Sequence, residues 1–432
     1  MNASGRQAVE AVWRIESARI VGTLARFTGD FALAEDLAQE ALAEALVAWP
    51  REGVPRNPAG WLLTVGRRRA IDTFRRRSAL DERYAALARE WDEGGASAGV
   101  GAAAAVEGAP DTDVLWDPDR IDDDVLALMF IACHPMLSRE ARVTLTLRVL
   151  GGLTSDEIAR ALLVPTATVQ ARITRAKKTL AAASVPFAVP PADERRERLG
   201  SVLNVLYVIF TEGSTATSGP DWIRPDLARE AIRLTRILAR LVPGESEVHG
   251  LLALLELTAA RFPARVDENG EPILLEDQDR RRWDRAAIRR GRAALAQAER
   301  SGRGLGPFGL QAAIAECHAI APSVAETDWD RVVVLYEALS QVAPSPVVEL
   351  NRAVAVSMAD GPAAALPLVD GLVAAGGLAA SHLLPTVRGE LLSRLGRPDE
   401  ARAEFEVAIH LCRNERERGV LEGKLAALPT KG

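Results

Sequence analysis

The chain of 432 residues is long enough for two to four domains, and 48% of it is hydrophobic, so each domain can bury a core. Ala, Leu, Arg and Glu dominate and aromatic residues make up only 5%, which favours an all-α fold. Three widely separated cysteines exclude a disulfide framework. There is no signal peptide and no membrane-spanning apolar run, so we expect a soluble cytoplasmic protein without membrane contact.

The net charge of −6 conceals local differences. Residues 1–90 have a net charge of +2, residues 91–125 of −9 and residues 126–188 of +5. Two mildly basic modules therefore flank one acidic connector. Local basic surfaces of this kind allow DNA binding although the whole chain is acidic.

Two helices are predicted within 6–50, separated by a Thr28-Gly29-Asp30 turn. The second, in LAEDLAQEALAEALVAW, has an acidic row beside its buried face, and such rows are usually solvated. Three prolines and Gly53 predict a loop over 50–58. The buried face comprises Leu33, Leu37, Ala41, Ala45 and Trp49, and the acidic row comprises Asp36, Glu40 and Glu44, with Gln39 alongside.

An Arg-rich helix is predicted from about Ala59, in GWLLTVGRRRAIDTFRRR. It carries six arginines within eleven residues, opposed only by Asp72, and this favours phosphate binding. Trp61 and Phe74 could stack on bases, but their helical spacing is more typical of core residues. The arginines are Arg67, Arg68, Arg69, Arg75, Arg76 and Arg77.

Residues 91–125 predict a flexible acidic linker, and helical periodicity resumes from Leu126. Gly152–Leu180 then predicts a helix-turn-helix whose first helix opens with a Thr154–Glu157 capping box. The second helix opens at Pro165 and hides one stripe, Val169, Ile173, Ala176 and Leu180. The neighbouring stripe of cations and hydroxyls suits a major groove, although a helical hairpin with a solvated basic face is an alternative. That stripe comprises Thr168, Arg172, Arg175, Lys178 and Thr179.

A second break over 185–191 precedes a long helical segment, 192–432. Within it, RAVAVSMADGPAAAL from Arg352 aligns with RGELLSRLGRPDEAR from Arg388 at a shift of 36 residues. This is close to the tetratricopeptide (TPR) period and predicts two helix-turn-helix copies. A plain helical bundle remains the alternative.

In this order, the acidic helix, the Arg-rich helix, the linker and the helix-turn-helix resemble the extracytoplasmic-function (ECF) class of bacterial sigma factors. AEDLAQEAL is similar to their polymerase-clamping helix, PAGWLLTVGRRRAIDTFRRR to their −10 reader and GLTSDEIARALLVPTATVQARITRAKKTL to their −35 reader. The resemblance implies a region-2 domain over 1–80, an acidic linker over 81–125 that threads the polymerase, and a region-4 domain over 126–185.

Carried over to this sequence, the resemblance implies three groups of binding residues, with core RNA polymerase and promoter DNA as partners. At position 171 the family often has a hydroxyl or a cation, whereas this chain has Ala171. The base preference at that position is therefore left open. The implied polymerase contacts are Asp36, Gln39 and Glu40; the implied −10 contacts are Arg56, Asn57, Trp61, Arg67, Arg68 and Arg75; the implied −35 contacts are Thr168, Gln170, Arg172, Arg175 and Lys178.

The tail, 192–432, resembles the C-terminal TPR-like extension of one ECF subgroup, in VLYVIFTEG, DWIRPDLAREAIRL and VAPSPVVELNRAV. The resemblance implies a domain that regulates the sigma factor within the chain, with a protein regulator as a further partner.

Three other readings remain open. An enzyme would have to use Cys133-His134, Cys317-His318 or the polar loop 213–219, none of which has the spacing of a zinc site or a phosphate loop. We therefore expect no catalytic residue, metal or cofactor. A duplex-binding regulator would keep the helix-turn-helix but would not need the Arg-rich helix. A TPR-like scaffold would use the DNA module only to localise the protein on DNA.

Overall fold

The computed structural model describes residues 3–92, 118–162, 164–214, 225–268, 271–301, 304–412 and 414–429. Eighteen α-helices and two short 3₁₀ helices occupy these ranges, and the β-structure within them is one isolated bridge, Val266 with Pro272. The predicted all-α class is therefore confirmed. None of the described helices is both long enough and apolar enough to cross a bilayer.

The chain forms two compact units, Met1–Val205 and Leu206–Gly432. The helices of the first unit are α1 (Ala3–Thr28), α2 (Phe31–Glu52), α3 (Pro58–Asp92), α4 (Pro118–Ala132), α5 (Arg139–Val149), α6 (Ser155–Leu162), α7 (Thr166–Ala182) and the start of α8 (Ala192–Ser214).

Helices α1 and α2 form the hairpin on which the first unit is built. Asp30 caps α2 by accepting hydrogen bonds from the backbone N–H groups of Ala32 and Leu33. Leu37, Ala41, Ala45 and Trp49 are buried as predicted, and Leu33 is half-buried.

The predicted loop start at Pro50 is wrong, because α2 continues through this residue to Glu52. Pro50 lies in the last turn, close behind the buried Trp49. Gly53, with φ at +91°, then ends the helix by donating its N–H to the Trp49 carbonyl. A proline near a helix end costs one hydrogen bond, and burial of the adjacent indole offsets that cost.

Helix occupies both ends of the segment predicted as a linker. Helix α3 extends to Asp92 and α4 begins at Pro118, so the middle of the predicted acidic linker, 93–117, lies outside the described residues. Asp124 is buried and pairs with Arg26 of α1 at 3.1 Å. The last acidic residue before the second module therefore contacts protein and not solvent.

The helix-turn-helix is confirmed as α6 and α7. Thr154 Oγ1 accepts from the N–H of Glu157, and Glu157 Oε2 accepts from the N–H of Thr154, which is the predicted capping box. Pro165 is the cap of α7, which begins at Thr166. The predicted stripe on α7 is buried: Val169, Ile173, Ala176 and Leu180.

The first part of α8 belongs to the first unit. Ser201 Oγ donates to the Cys133 carbonyl at 2.7 Å and accepts from Arg142, while Arg198 donates to the Phe130 carbonyl. The end of α8 extends into the second unit, so the boundary lies within this helix and beyond the start predicted at 192.

The second unit is a series of helices that pack against their neighbours in sequence. Both predicted repeat copies are helix-turn-helix pairs, α14 with α15 and α16 with α17, and Pro362 and Pro398 occupy the first position of the second helix in each pair. Arg394 of the second copy donates to Ser357 Oγ of the first at 2.6 Å. The helices are α9 (Pro225–Leu241), α10 (Ser246–Ala259), α11 (Arg285–Ser301), α12 (Pro307–Ile320), α13 (Trp329–Val342), α14 (Pro346–Ala359), α15 (Pro362–Ala374), α16 (Leu383–Arg394), α17 (Pro398–Leu411) and α18 (Glu415–Ala426).

Candidate nucleic-acid interface

The predicted groove-facing residues of α7 lie beside and beyond its buried stripe. Gln170, Arg175 and Lys178 are exposed, whereas Thr168 and Arg172 are half-buried at the edge of that stripe. Thr166 Oγ1 donates to Asp156 of α6 at 2.8 Å, which fixes the start of α7 relative to α6. Thr168, Arg172, Arg175 and Lys178 therefore form one continuous strip, and Gln170 lies on the far flank of the exposed surface.

Arg172 lies near an acidic group of the same module. Hydrogen bonds from the Glu140 backbone and from Ser138, together with the charge of Arg172, lower the pKa of Glu140. Part of the Arg172 charge is thus balanced within the protein, and Arg175 and Lys178 are the more available cations of this face.

The arginines of α3 divide into two groups. Arg68 donates to Glu44 at 3.0 Å, and Arg69 donates to Glu44 at 2.7 Å and to Glu40 at 2.8 Å. The hydrogen bond from Arg69 is the largest cause that lowers the pKa of Glu44. Arg75 and Arg76, nearly two turns further on, are exposed. Arg68 and Arg69 therefore join α3 to α2, and Arg75 and Arg76 remain on the surface.

The start of α3 combines exposed polar residues with a partly buried indole. Arg56 and Asn57 are exposed, and Asn57 caps α3 by accepting from the N–H of Gly60 at 3.0 Å. Trp61 is half-buried and meets Trp49 edge-to-face, with ring centroids 5.7 Å apart. Arg67 lies 5.2 Å above the Phe27 ring. Trp61 is thus partly a packing residue, while Arg56 and Asn57 are presented to solvent.

The three predicted polymerase contacts line one surface groove between α2 and α3. Asp36 and Glu40 are exposed, and Gln39 is half-buried between them. The structure therefore brings these residues together on one face. The groove is lined by Leu33, Asp36, Leu37, Gln39, Glu40, Thr73 and Arg76.

One ion-pair network joins this acidic face to the helix-turn-helix, and the sequence did not indicate it. Lys177 of α7 donates to Glu35 Oε2 at 2.7 Å and to Asp36 Oδ1 at 2.5 Å. Arg148 of α5 donates to the other oxygen of Glu35 at 3.2 Å. Burial alone would lower the pKa of Lys177, but the charges and hydrogen bonds of Glu35 and Asp36 raise it. We call Glu35, Asp36, Arg148 and Lys177 the α2–α7 latch.

Further contacts between α1 and the second module surround the latch. Arg14 pairs with Glu157 of the capping box at 2.5 Å. Gly152 has φ at +66°, and an added Cβ there would lie 2.8 Å from Ser17 Oγ of α1. A side chain at this position would therefore be strained and would also push α1 away.

Comparisons with known proteins agree with this architecture. Residues 14–79 match sigma-70 region 2, residues 127–180 match sigma-70 region 4, and residues 198–299 match a family of unknown function, DUF6596. An uncharacterized protein of Rhizobium meliloti is 43% identical over 422 residues, which cover 94% of this chain and 92% of that protein. With sigma-70 regions 2 and 4, the chain is an ECF-like sigma factor with a helical C-terminal extension.

A second relative matches less than half of the chain. The probable ECF RNA polymerase sigma factor SigI of Mycobacterium tuberculosis is 29% identical over 187 residues, 43% of this chain. This chain spans 59% of SigI. The Rhizobium protein, by contrast, matches nearly the whole chain and so shares the extension as well.

Proposed function

We propose that this sigma factor binds core RNA polymerase through the acidic groove of α2, meets the −10 element with the start of α3, and meets the −35 element with α7. The observation that carries the proposal is the arrangement of α6 and α7, where a buried stripe and a capped entry turn leave one polar, cationic face exposed. Exposed arginines of α3 provide a second cationic surface on the same chain.

The chemistry needs no catalytic residue. Cations supply affinity for phosphates that is independent of sequence and falls with salt. Side chains of α7 discriminate between bases, and each good contact contributes about 1–3 kcal/mol. Residues at the start of α3, Arg56, Asn57 and Trp61, are placed to meet bases that leave the stack as the −10 duplex melts.

We further propose that the first unit is a closed form of the sigma factor. The −35 and −10 elements lie about 25 base pairs apart, or about 85 Å at the ~3.4 Å rise of DNA. A compact body of about 200 residues has a radius of gyration of only about 17 Å. A unit in which α7 pairs directly with α2 cannot reach both elements, so the latch has to open before promoter binding.

The covalent connection permits such opening. About 25 residues separate α3 from α4, and an extended chain of that length spans at most about 85 Å. Asp36 lies both in the polymerase groove and in the latch. Core polymerase that engages Asp36 therefore competes with Lys177, and this competition couples polymerase binding to release of α7.

The experiment that tests the proposed function uses the full-length chain, core RNA polymerase and promoter templates. We expect co-elution with core and transcription from specific start sites. A duplex-binding regulator, or a scaffold that uses its DNA module only for localisation, would neither co-elute with core nor direct transcription from specific start sites. Either of those results would overturn the proposal.

We also propose that the extension regulates the sigma portion. Its support is the separate compact unit of TPR-like helix pairs, an architecture that presents extended surfaces to protein partners. The test is a truncation after Ser214, where α8 ends, because a cut at 192 would remove Arg198 and Ser201 from the first unit. Promoter activity should change; unchanged activity at equal protein level contradicts the proposal.

A further inference from the structure

Three side chains of metal-ligating type meet at three helix ends in the second unit. His382 immediately precedes α16, Cys412 immediately follows α17, and Glu417 lies in the first turn of α18. One donor atom from each lies within 4.8 Å of the other two. The distance is 3.0 Å from His382 Nε2 to Glu417 Oε1 and 4.0 Å from Cys412 Sγ to Glu417 Oε2.

Local structure holds the three groups in place. Asn414 caps α18 by accepting from the backbone N–H groups of Arg416 and Glu417, which directs Glu417 toward the end of α17. Cys412 is 3% exposed and belongs to the core of α14–α18. His382 Nε2 is buried and makes no hydrogen bond of good geometry, although the carboxylate is only 3.0 Å away. The imidazole nitrogen thus faces the other two donors without a well-aligned partner.

We propose that His382, Cys412 and Glu417 form a binding site for a divalent transition metal, with Zn²⁺ as the best fit. Zn²⁺ takes Cys sulfur at about 2.3 Å, and His nitrogen and carboxylate oxygen at about 2.0–2.2 Å, so neighbouring donors around a tetrahedral ion lie roughly 3.3–3.6 Å apart. The present separations require the donors to move by about 1 Å or less. Mixed sulfur, nitrogen and oxygen ligands favour Zn²⁺ over Mg²⁺ or Ca²⁺.

The charges of the site are compatible with an ion. Binding releases the Cys412 thiol proton to solvent, and the thiolate and the Glu417 carboxylate together balance the two positive charges of Zn²⁺. Nearby cations have partners of their own: Lys424 pairs with Glu390, Arg265 donates to the Ser214 carbonyl and Arg261 donates to Gln278. Occupation of the site therefore raises its net charge by one, from −1 to 0.

Three protein ligands leave a fourth position on the ion. His382 and Glu417 also line a cavity of about 230 Å³ whose wall includes Arg261, Arg265 and Gln278. Because His382 and Glu417 line this cavity, a fourth ligand can reach the ion from it, and the two arginines favour a water-derived or other anionic ligand. The bound ion joins α16, α17 and α18, so it stabilises the last helix of the extension.

No sequence motif marks this site. His382 and Cys412 are thirty residues apart, whereas the adjacent Cys-His pairs of the chain lie elsewhere, at 133–134 and 317–318. Packing of α16 against α17 and of α17 against α18 brings the donors together.

Cobalt(II) is the probe, because a thiolate bound to Co²⁺ gives a charge-transfer absorption in the near ultraviolet. Full-length protein freed of metal with a chelator is titrated with Co²⁺ and then with Zn²⁺. We expect one equivalent to produce the thiolate band and Zn²⁺ to remove it. Cys412→Ser should abolish the band, His382→Gln should weaken Co²⁺ binding at least tenfold, and Cys317→Ser, a matched buried cysteine, should behave as wild type.

Circular dichroism checks that each variant is folded. If Cys412→Ser is unfolded, His382→Gln and Glu417→Gln test the site instead, because both side chains are partly exposed and their substitution should not disrupt the core. Three results overturn the proposal: no thiolate band in the wild type, a band that survives Cys412→Ser, or Co²⁺ binding that is equal in wild type, His382→Gln and Glu417→Gln. The readout is independent of polymerase and DNA, so it is separate from the test of sigma activity.

Discussion

Lys177 and Glu35, which are 142 residues apart, form an ion pair at 2.7 Å in which both side chains are largely buried. Lys177 also pairs with Asp36, so one side chain of α7, the helix proposed to read DNA, occupies part of the surface predicted to bind polymerase. Under that proposal, the latch couples polymerase binding to release of α7.

Lys177→Ala should open the first unit. Removal of the amine costs the closed form about 1–3 kcal/mol, because Glu35 keeps Arg148 but loses its closer partner. A less stable closed form raises the fraction of molecules in the open form, which is competent to bind core polymerase. The affinity for core should therefore rise about tenfold. Small-angle scattering should show a larger radius of gyration, and core binding can be measured by fluorescence anisotropy.

Lys178→Ala is the matched control for that experiment. Lys178 is the adjacent lysine and is exposed, so its loss should leave core affinity and the radius of gyration unchanged. Equal behaviour of the two variants would show that the latch does not limit polymerase binding.

Asp36→Ala combined with Glu40→Ala should weaken core binding by about tenfold or more, since both carboxylates line the groove of α2. Binding of a duplex containing the −35 element should be retained, because neither residue lies on α7. Glu10→Gln, an exposed acidic change on α1, is the control and should bind core normally. Undiminished core affinity of the double variant would place the polymerase surface elsewhere.

Arg172→Ala should weaken binding to the −35 element by about 1–3 kcal/mol, or roughly 5- to 150-fold. If Arg172 contacts phosphate only, the loss of affinity should be equal for all DNA sequences. The salt dependence of binding should then correspond to about one fewer released counterion. Competition assays with specific and non-specific duplexes at several salt concentrations separate the two cases. Arg196→Ala, an exposed arginine on α8, serves as the comparison; equal affinity of both variants would exclude Arg172 from the interface.

Features set by nearby residues could be predicted from the sequence. The Thr154–Glu157 box and the stripe on α7 depend on contacts within one or two turns, and both were confirmed. The loop predicted to start at Pro50 is wrong because the burial of Trp49, which depends on packing between helices, overrides a local helix breaker. The pairing of Arg68 and Arg69 with α2 also depends on packing between helices, so the run of arginines in the sequence does not indicate it.

The latch and the three-residue cluster of the extension could not be predicted in the same way. Lys177 lies beside the buried stripe of α7, but only the fold shows that Glu35 and Asp36 face it. Glu35 lies outside the buried face predicted for α2, so its burial is evident only in the tertiary structure. Charged groups are rarely buried unless paired, and the partners of Glu35 also come from packing between helices.

His318 should make the second unit sensitive to acid. Burial, with help from the charges of Arg261 and Arg280, lowers the pKa of His318 to about 4, and its ring packs edge-to-face on Trp329 at 5.2 Å. Between pH 6.5 and 4 the unfolded chain binds a proton at this residue and the folded chain does not. Stability is therefore full above pH 6.5 and falls by about 2–3 kcal/mol as the pH is lowered toward 4.

His318→Gln isolates this contribution from the general protonation of carboxylates. Urea unfolding of full-length protein, followed at pH 7.5 and at pH 4.5, should show a smaller loss of unfolding free energy for His318→Gln than for the wild type. His410→Gln, on the exposed side of α17, should keep the wild-type loss. The quantity compared is the change in unfolding free energy between the two pH values, because His318→Gln also alters packing against Trp329 and that effect is equal at both pH values. An equal change in wild type and His318→Gln would mean that His318 gains its proton equally in the folded and unfolded chain.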